Sequence, residues 1–204
     1  RINIDVHIDK GEHQDLVVFT RHEISRILDV NTKNLMGYRD KAIFELSYSI
    51  GIKPTECINL ELRDVNTTIG YLKYRKKDGY RTIALNKESV EAIENYIVEL
   101  KKEYPNIKDD SKLFLNHDGE GISRQGFWKI FKKRQQDLGL TKELNTMNFR
   151  NSLAIHLLED KVPAEEVQEL LGLKNIHSLK LYFSSLEGNK SKRMMTNHPR
   201  KTIN

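Results

Sequence analysis

One cysteine, four prolines and a single tryptophan in 204 residues exclude several architectures at once. Cys57 has no partner for an internal bridge, so a disulfide-framed scaffold is ruled out and a reducing compartment is expected. No run of 18 or more apolar residues occurs, which leaves no candidate for a membrane-spanning helix. The chain opens on Arg1 without a charged start and an apolar stretch, so no signal peptide is read. The expectation is a cytoplasmic protein, and a piece of a longer one. Internal repeats and low-complexity tracts are also missing. The seven histidines show no ligand-like spacing, so no metal site is expected.

Charge of one sign is scarce too. The net charge is +5, from 34 basic and 29 acidic side chains. Residues 188–204 contain no acid and hold Lys190, Lys192, Arg193, Arg200 and Lys201. Those five account for the whole excess, so any case for a polyanionic partner rests on local patches rather than on the overall field. Two more patches stand out. One gathers Lys73, Arg75, Lys76, Lys77 and Arg81; the other gathers Arg124, Lys129, Lys132, Lys133 and Arg134. Solvated helix faces carry such runs routinely, so the patches alone do not name a partner.

With 38% apolar and 31% charged residues, the chain can build a real core. Thr20 and Glu23 have capping-box spacing ahead of the stripe Ile24, Ile27 and Leu28. A second helix is read over 38–50, stopped by Gly51, and Pro54 suits the first turn of a short third one. The period then changes to two. "IGYLKY" and "YRTIAL" flank "RKKDG", whose Asp78-Gly79 pair is a hairpin signal. Helices follow over 87–104, 123–139, 147–159, 163–171 and 176–186. The fold class is α+β, mainly α-helical, with a small antiparallel sheet. The expected organisation is an arm over 1–18, one domain over 19–186, and a basic tail over 187–204.

Five blocks in this order resemble the catalytic domain of tyrosine recombinases, the phage integrase and Xer family. They are "FTRHEISRIL", "RDKAIFELSYSIGIKPTECINLELRDV", "YLKYRKKDGYRTIAL", "MNFRNSLAIHLLED" and "VQELLGLKNIHSLKLY". The resemblance implies a tyrosine that attacks a DNA phosphodiester, forming a 3′-phosphotyrosyl bond and a free 5′-hydroxyl, with no metal or nucleotide. It places Tyr182 on the nucleophile, Arg150 on the second arginine of a phosphate clamp, and Lys76 on the hairpin lysine that protonates the leaving oxygen. Glu56 fits the first block, three residues after the clamp position. The partner implied is double-stranded DNA, held by a homo-multimer, with Arg75, Lys77, Arg81, Arg124, Lys132 and Lys133 as DNA-binding residues. A separate DNA-gripping domain is expected to precede this one.

Three positions depart from the family pattern. Lys53 stands at the first clamp arginine, Met147 where a His or Lys is usual, and Leu173 where the family has His or Trp. Lysine keeps the charge and gives up the bidentate fork; methionine and leucine donate nothing. An alternative follows: a DNA-binding protein that has kept the fold and lost much of the chemistry. A helical module for some other acidic partner is the third reading.

The bland readings stay beside these. Tyr182 is one of eight tyrosines and suits a half-buried helical position. Arg150, between Phe149 and Leu153, needs an anion, which a structural carboxylate would also provide. A one-residue slip of the hairpin exchanges Lys76 with Lys77, although counting back from Arg81 selects Lys76. Trp128 with Phe127 and Phe131 looks like a stacking platform, but the spacing suits a core. His156 lies about 120° around the helix from Arg150 and reads as a packed structural residue, and His177 lies about 140° from Tyr182.

Overall fold

In a computed structural model the chain is described over residues 16–76 and 79–196, with side chains through residue 188. Helix α1 (Arg21–Leu28) starts where the capping box put it. Glu23 N–H donates to Thr20 Oγ1 at 3.1 Å, and Thr20 N–H donates to Glu23 Oε2 at 2.6 Å. Helix α2 (Leu35–Ile50) begins three residues earlier than the sequence suggests, because Asn34 caps it through Gly37 N–H, and it ends on left-handed Gly51. Helix α3 (Pro54–Cys57) is a single turn opened by its proline.

The sheet has three antiparallel strands in the order β1 (Val65–Asn66), β2 (Tyr71–Lys76) and β3 (Gly79–Ala84). The hairpin is where the period changes, and Lys76 pairs with Gly79 across its end. Strand β1 is new, since two residues are too few to show a period. Lys77 and Asp78 lie outside the described residues. Helices α4 (Lys87–Glu103), α5 (Arg124–Asp137), α6 (Thr146–Glu159) and α7 (Ala164–Leu171) follow, and left-handed Gly172 ends the last of these. The helix expected over 176–186 is two elements. A 3₁₀ turn (Ile176–Leu179) leads into α8 (Lys180–Thr196), which runs on past position 187; residues 197–204 of the basic tail lie outside the described residues.

Helix α6 holds the molecule together because it is buried all round. Phe149 faces a core shared with α1, α2 and α5, meeting the rings of Phe19, Phe44, Tyr48 and Phe131 at centroid distances of 5.9–6.2 Å. Leu153, Ala154 and Ile155 belong to a second cluster with Val167 and Leu171 of α7 and with Leu179 and Tyr182. The polar residues of α6 are buried with it. Ser152 accepts from Phe19 N–H at 2.8 Å, and His156 Nδ1 lies 2.7 Å from the Tyr48 hydroxyl.

His156 is therefore a packed residue. Burial first, and then Arg21, pull its pKa below the ordinary 6.5, against Glu159 and Asp160. A depressed histidine supports the fold above its ordinary pKa and withdraws that support as pH falls through the folded value. The urea midpoint should drop between pH 7.5 and pH 5. His156→Gln should flatten that fall; an unchanged slope in the variant would assign it to other groups.

Candidate active site

Arg150 sits one residue beyond the core anchor Phe149, so its position is fixed by packing. Its guanidinium is mostly buried and donates to two carbonyls at helix ends: Gly51 O at 3.0 Å, after α2, and Leu171 O, the last residue of α7. Helix C-termini carry partial negative charge and unpaired carbonyls, which suits a cation. Burial lowers the arginine's pKa, and Tyr182, Glu56 and Tyr74 work against that while Arg81 adds to it.

The hairpin sorts its cations by face. Pairing of Arg75 with Tyr80 and Lys73 with Thr82 places these four on the outer face, where Lys73 lies over the Tyr80 ring at 4.9 Å. Lys76, Tyr74 and Arg81 share the other face with buried Leu72. Lys76 Nζ lies 3.9 Å from Glu56 Oε1 and 5.8 Å from the centre of the Tyr74 ring. Arg81 donates to Glu169 O on α7 and, at 3.4 Å, to the Tyr74 hydroxyl. A Cβ on Gly172 would meet Lys76 Nζ and Arg81 Nη1, each at 2.7 Å. The two cations therefore flank the end of α7 from which Arg150 also hangs.

Glu56 links this group to α3. Its Oε2 accepts from Lys53 N–H at 3.0 Å, while Oε1 faces Lys76. The Lys53 side chain is exposed beside it. Lys76 is pulled below the ordinary lysine pKa by burial first. Glu56 opposes that shift, and Arg81, Lys53 and Arg150 reinforce it. Glu56 is the carboxylate that acts on both Lys76 and Arg150.

Tyr182, on α8, reaches α6 at the residue after Arg150. It is 7% exposed, and its hydroxyl donates to Asn151 Oδ1 at 3.2 Å. Burial raises its pKa and Arg150 draws it back down. The phenol is thus protonated near neutral pH and tucked against α6. Met147, one turn before Arg150, is 62% exposed and presents a thioether where a proton donor was sought. Leu173 is half-buried against the second core cluster.

Lys76, Arg81 and Arg150 meet at the end of α7, Lys53 is exposed beside Glu56, and the Tyr182 hydroxyl rests on Asn151, the residue after Arg150; other candidates lie elsewhere. Arg75 is on the outer sheet face. Arg124, Lys132 and Lys133 lie exposed on α5, where Lys132 stacks over Trp128 at 4.6 Å and Lys133 pairs with Asp137 at 2.6 Å. Trp128 is 53% exposed, whereas Phe127 and Phe131 are core. Arg134 leaves the α5 patch altogether: it caps the carbonyls of Arg26, Ile27 and Asp29 at the end of α1. Sequence reasoning missed Asn151, Tyr74 and the role of Gly172, for which a helix stop was the one visible signal. Among the described residues no three His, Cys, Asp or Glu side chains gather as a metal site would require, and no helix is long and apolar enough to cross a membrane.

The sequence profile of the phage integrase family matches residues 17–188. The chain belongs to that family. Among curated relatives it is 34% identical over 169 residues to the tyrosine recombinase XerD of Listeria monocytogenes, covering 81% of this chain and 57% of the relative. It is 35% identical over 171 residues to XerD of Staphylococcus epidermidis, covering 83% and 57%. The chain thus spans somewhat over half the length of these relatives. Among solved structures, the XerA recombinase superposes with a TM-score of 0.72 at 18% identity, over 90% of this chain and 66% of that one. XerH bound to a palindromic difH substrate, in a post-cleavage complex, gives 0.73 at 19% identity, over 92% and 54%. The fold of this phage integrase family member is the mainly helical one, with a small antiparallel sheet, that its sequence blocks implied.

Proposed function

We propose that the chain is the DNA-cleaving and rejoining domain of a site-specific recombinase or integrase, acting in the cytoplasm as a homo-multimer on double-stranded DNA. The observation that carries this is the meeting of Arg150, Lys76 and Arg81 at the end of α7 beside the carboxylate of Glu56, with Lys53 exposed next to it and the Tyr182 hydroxyl bonded to the residue after Arg150. Such a cation excess calls for an anion, and a phosphodiester fits it. Tyr182 Oη attacks phosphorus, its proton leaving to solvent, so that an Oη–P bond forms while the P–O5′ bond breaks. Lys76 gives its proton to the departing oxygen, and its depressed pKa makes that transfer easier. Arg150 holds the charge that builds on the other phosphate oxygens. Attack by another strand's 5′-hydroxyl reverses these steps and rejoins DNA.

A second reading has specific support. Met147 and Leu173 supply no proton donor, and losing such a group removes about 10² to 10⁴ in rate. The Tyr182 hydroxyl is also turned inward, so it must leave Asn151 before it attacks. On this reading the protein binds DNA and cleaves it feebly or not at all.

A pool of duplexes with randomised central sequence, each nicked so that the cleaved fragment diffuses away, separates the two. A covalent protein–DNA adduct in denaturing gels is expected for the wild-type chain and none for Tyr182→Phe. Salt-sensitive DNA binding with no adduct from either protein would establish the second reading instead.

A further inference from the structure

We propose that Arg81 is a phosphate-binding residue of this site, the second guanidinium of a clamp it forms with Arg150, in place of the residue at position 53. The proposal deepens the recombinase reading above and rests on it.

The two arginines are held in the same way. Each donates through one Nη2 to a carbonyl at the end of α7, Arg81 to Glu169 O and Arg150 to Leu171 O. Arg81 is further fixed by the Tyr74 hydroxyl. Arg150 also donates through Nη1 to Gly51 O at 3.0 Å, so each guanidinium spends two of its five N–H donors on the protein and keeps three for a ligand, and arginine is suited to this because its fork matches phosphate oxygens in pairs. Arg81 also lies beside Lys76. Both nitrogens are 2.7 Å from the point where a Gly172 Cβ would sit, so they are no more than twice that distance apart.

Two cations at that separation repel, and Glu56, on the Lys53 side, is 3.9 Å from Lys76. An anion bound between Lys76, Arg81 and Arg150 removes the repulsion, which is how a built anion site differs from a structural arginine. Position 53 offers less. Its side chain is an exposed ammonium with a single donor head on a long flexible stem, at the start of α3. Alternation along β3 puts Arg81 on the site face, while its neighbours Tyr80 and Thr82 take the outer one.

A double-mutant cycle tests this in the full chain, with the nicked randomised duplex pool as substrate and inorganic phosphate as a second probe, followed through the arginine side-chain NMR signals. Arg81→Ala should slow adduct formation about 10- to 100-fold, the worth of a charge-assisted hydrogen bond, and weaken phosphate binding. Arg81→Lys, which keeps the charge, should recover little of either. In a Lys53→Arg background, where a guanidinium returns to the neighbouring position, Arg81→Ala should cost less than about threefold. Equal losses in both backgrounds, or no loss in the wild-type background, would overturn the assignment. If the wild-type chain forms no adduct yet binds phosphate, the recombinase reading fails by itself. Arg81 is then judged on phosphate, and an affinity unchanged by Arg81→Ala, or no binding at all, overturns the proposal. Circular dichroism of each variant accounts for any loss of fold.

Discussion

Phe149→Ala should lower the unfolding free energy by about 3 to 5 kcal/mol, the range for emptying a fully buried phenylalanine site. Phe149 is 0% exposed and touches four aromatic rings drawn from α2, α5 and the segment before α1. These rings come from Phe44 and Tyr48 on α2, Phe131 on α5, and Phe19, whose N–H is tied to Ser152, so the space left cannot close by one side chain swinging in. Domains of this size are stable by only about 5 to 15 kcal/mol, so the variant should sit near its unfolding threshold at 37 °C. Urea denaturation measures it: the midpoint should fall while the slope stays constant. A loss below about 1.5 kcal/mol would mean that the cluster repacks, and that Arg150 is not held from beneath as described. Any loss of site function in this variant should follow the unfolded fraction.

Gly172→Ala should do the reverse, sparing the fold and disabling the site. Gly172 has φ of +59°, so a side chain there carries a left-handed penalty of about 1 to 2 kcal/mol. Its Cβ would also strike Lys76 Nζ and Arg81 Nη1, the ends of flexible side chains that can swing away at small cost in stability. What they cannot do is stay where they are. Displacing groups that position a reacting phosphate by about 1 Å costs roughly 10² in rate. Gly139→Ala is the matched control, since Gly139 has φ of +60° with nothing within 4 Å of its Cβ position. Both variants should lose similar stability, and Gly172→Ala alone should lose about 100-fold in adduct formation and bind inorganic phosphate more weakly. Equal activity in the two would show that Gly172 serves the backbone and not the cations.

Much of this was legible in the chain itself where the signal was local. The Thr20 and Glu23 box, Pro54, the hairpin and the stops at Gly51 and Gly172 each depend on residues a few positions apart, and each stands where it was read. Local pattern failed where distant segments meet. The basic run on α5 gave no hint that Arg134 turns under to cap α1, more than 100 residues away. Strand β1 exists because β2 is beside it. In the hairpin, period two shows that alternate cations part company, but register decides which of them share a wall with α7. The family resemblance supplied Tyr182, Arg150 and Lys76; it did not supply Asn151, which touches the tyrosine and has no motif of its own.

The cation cluster is assembled from the end of α2, the hairpin, α6 and the end of α7, with Tyr182 on the helix after these. A ribosome delivers those pieces in that order, so a nascent chain carries the cations before it carries Tyr182. A product cut short after α7 would lack Leu179 and Tyr182 of the second core cluster, and so would forfeit packing together with the proposed nucleophile.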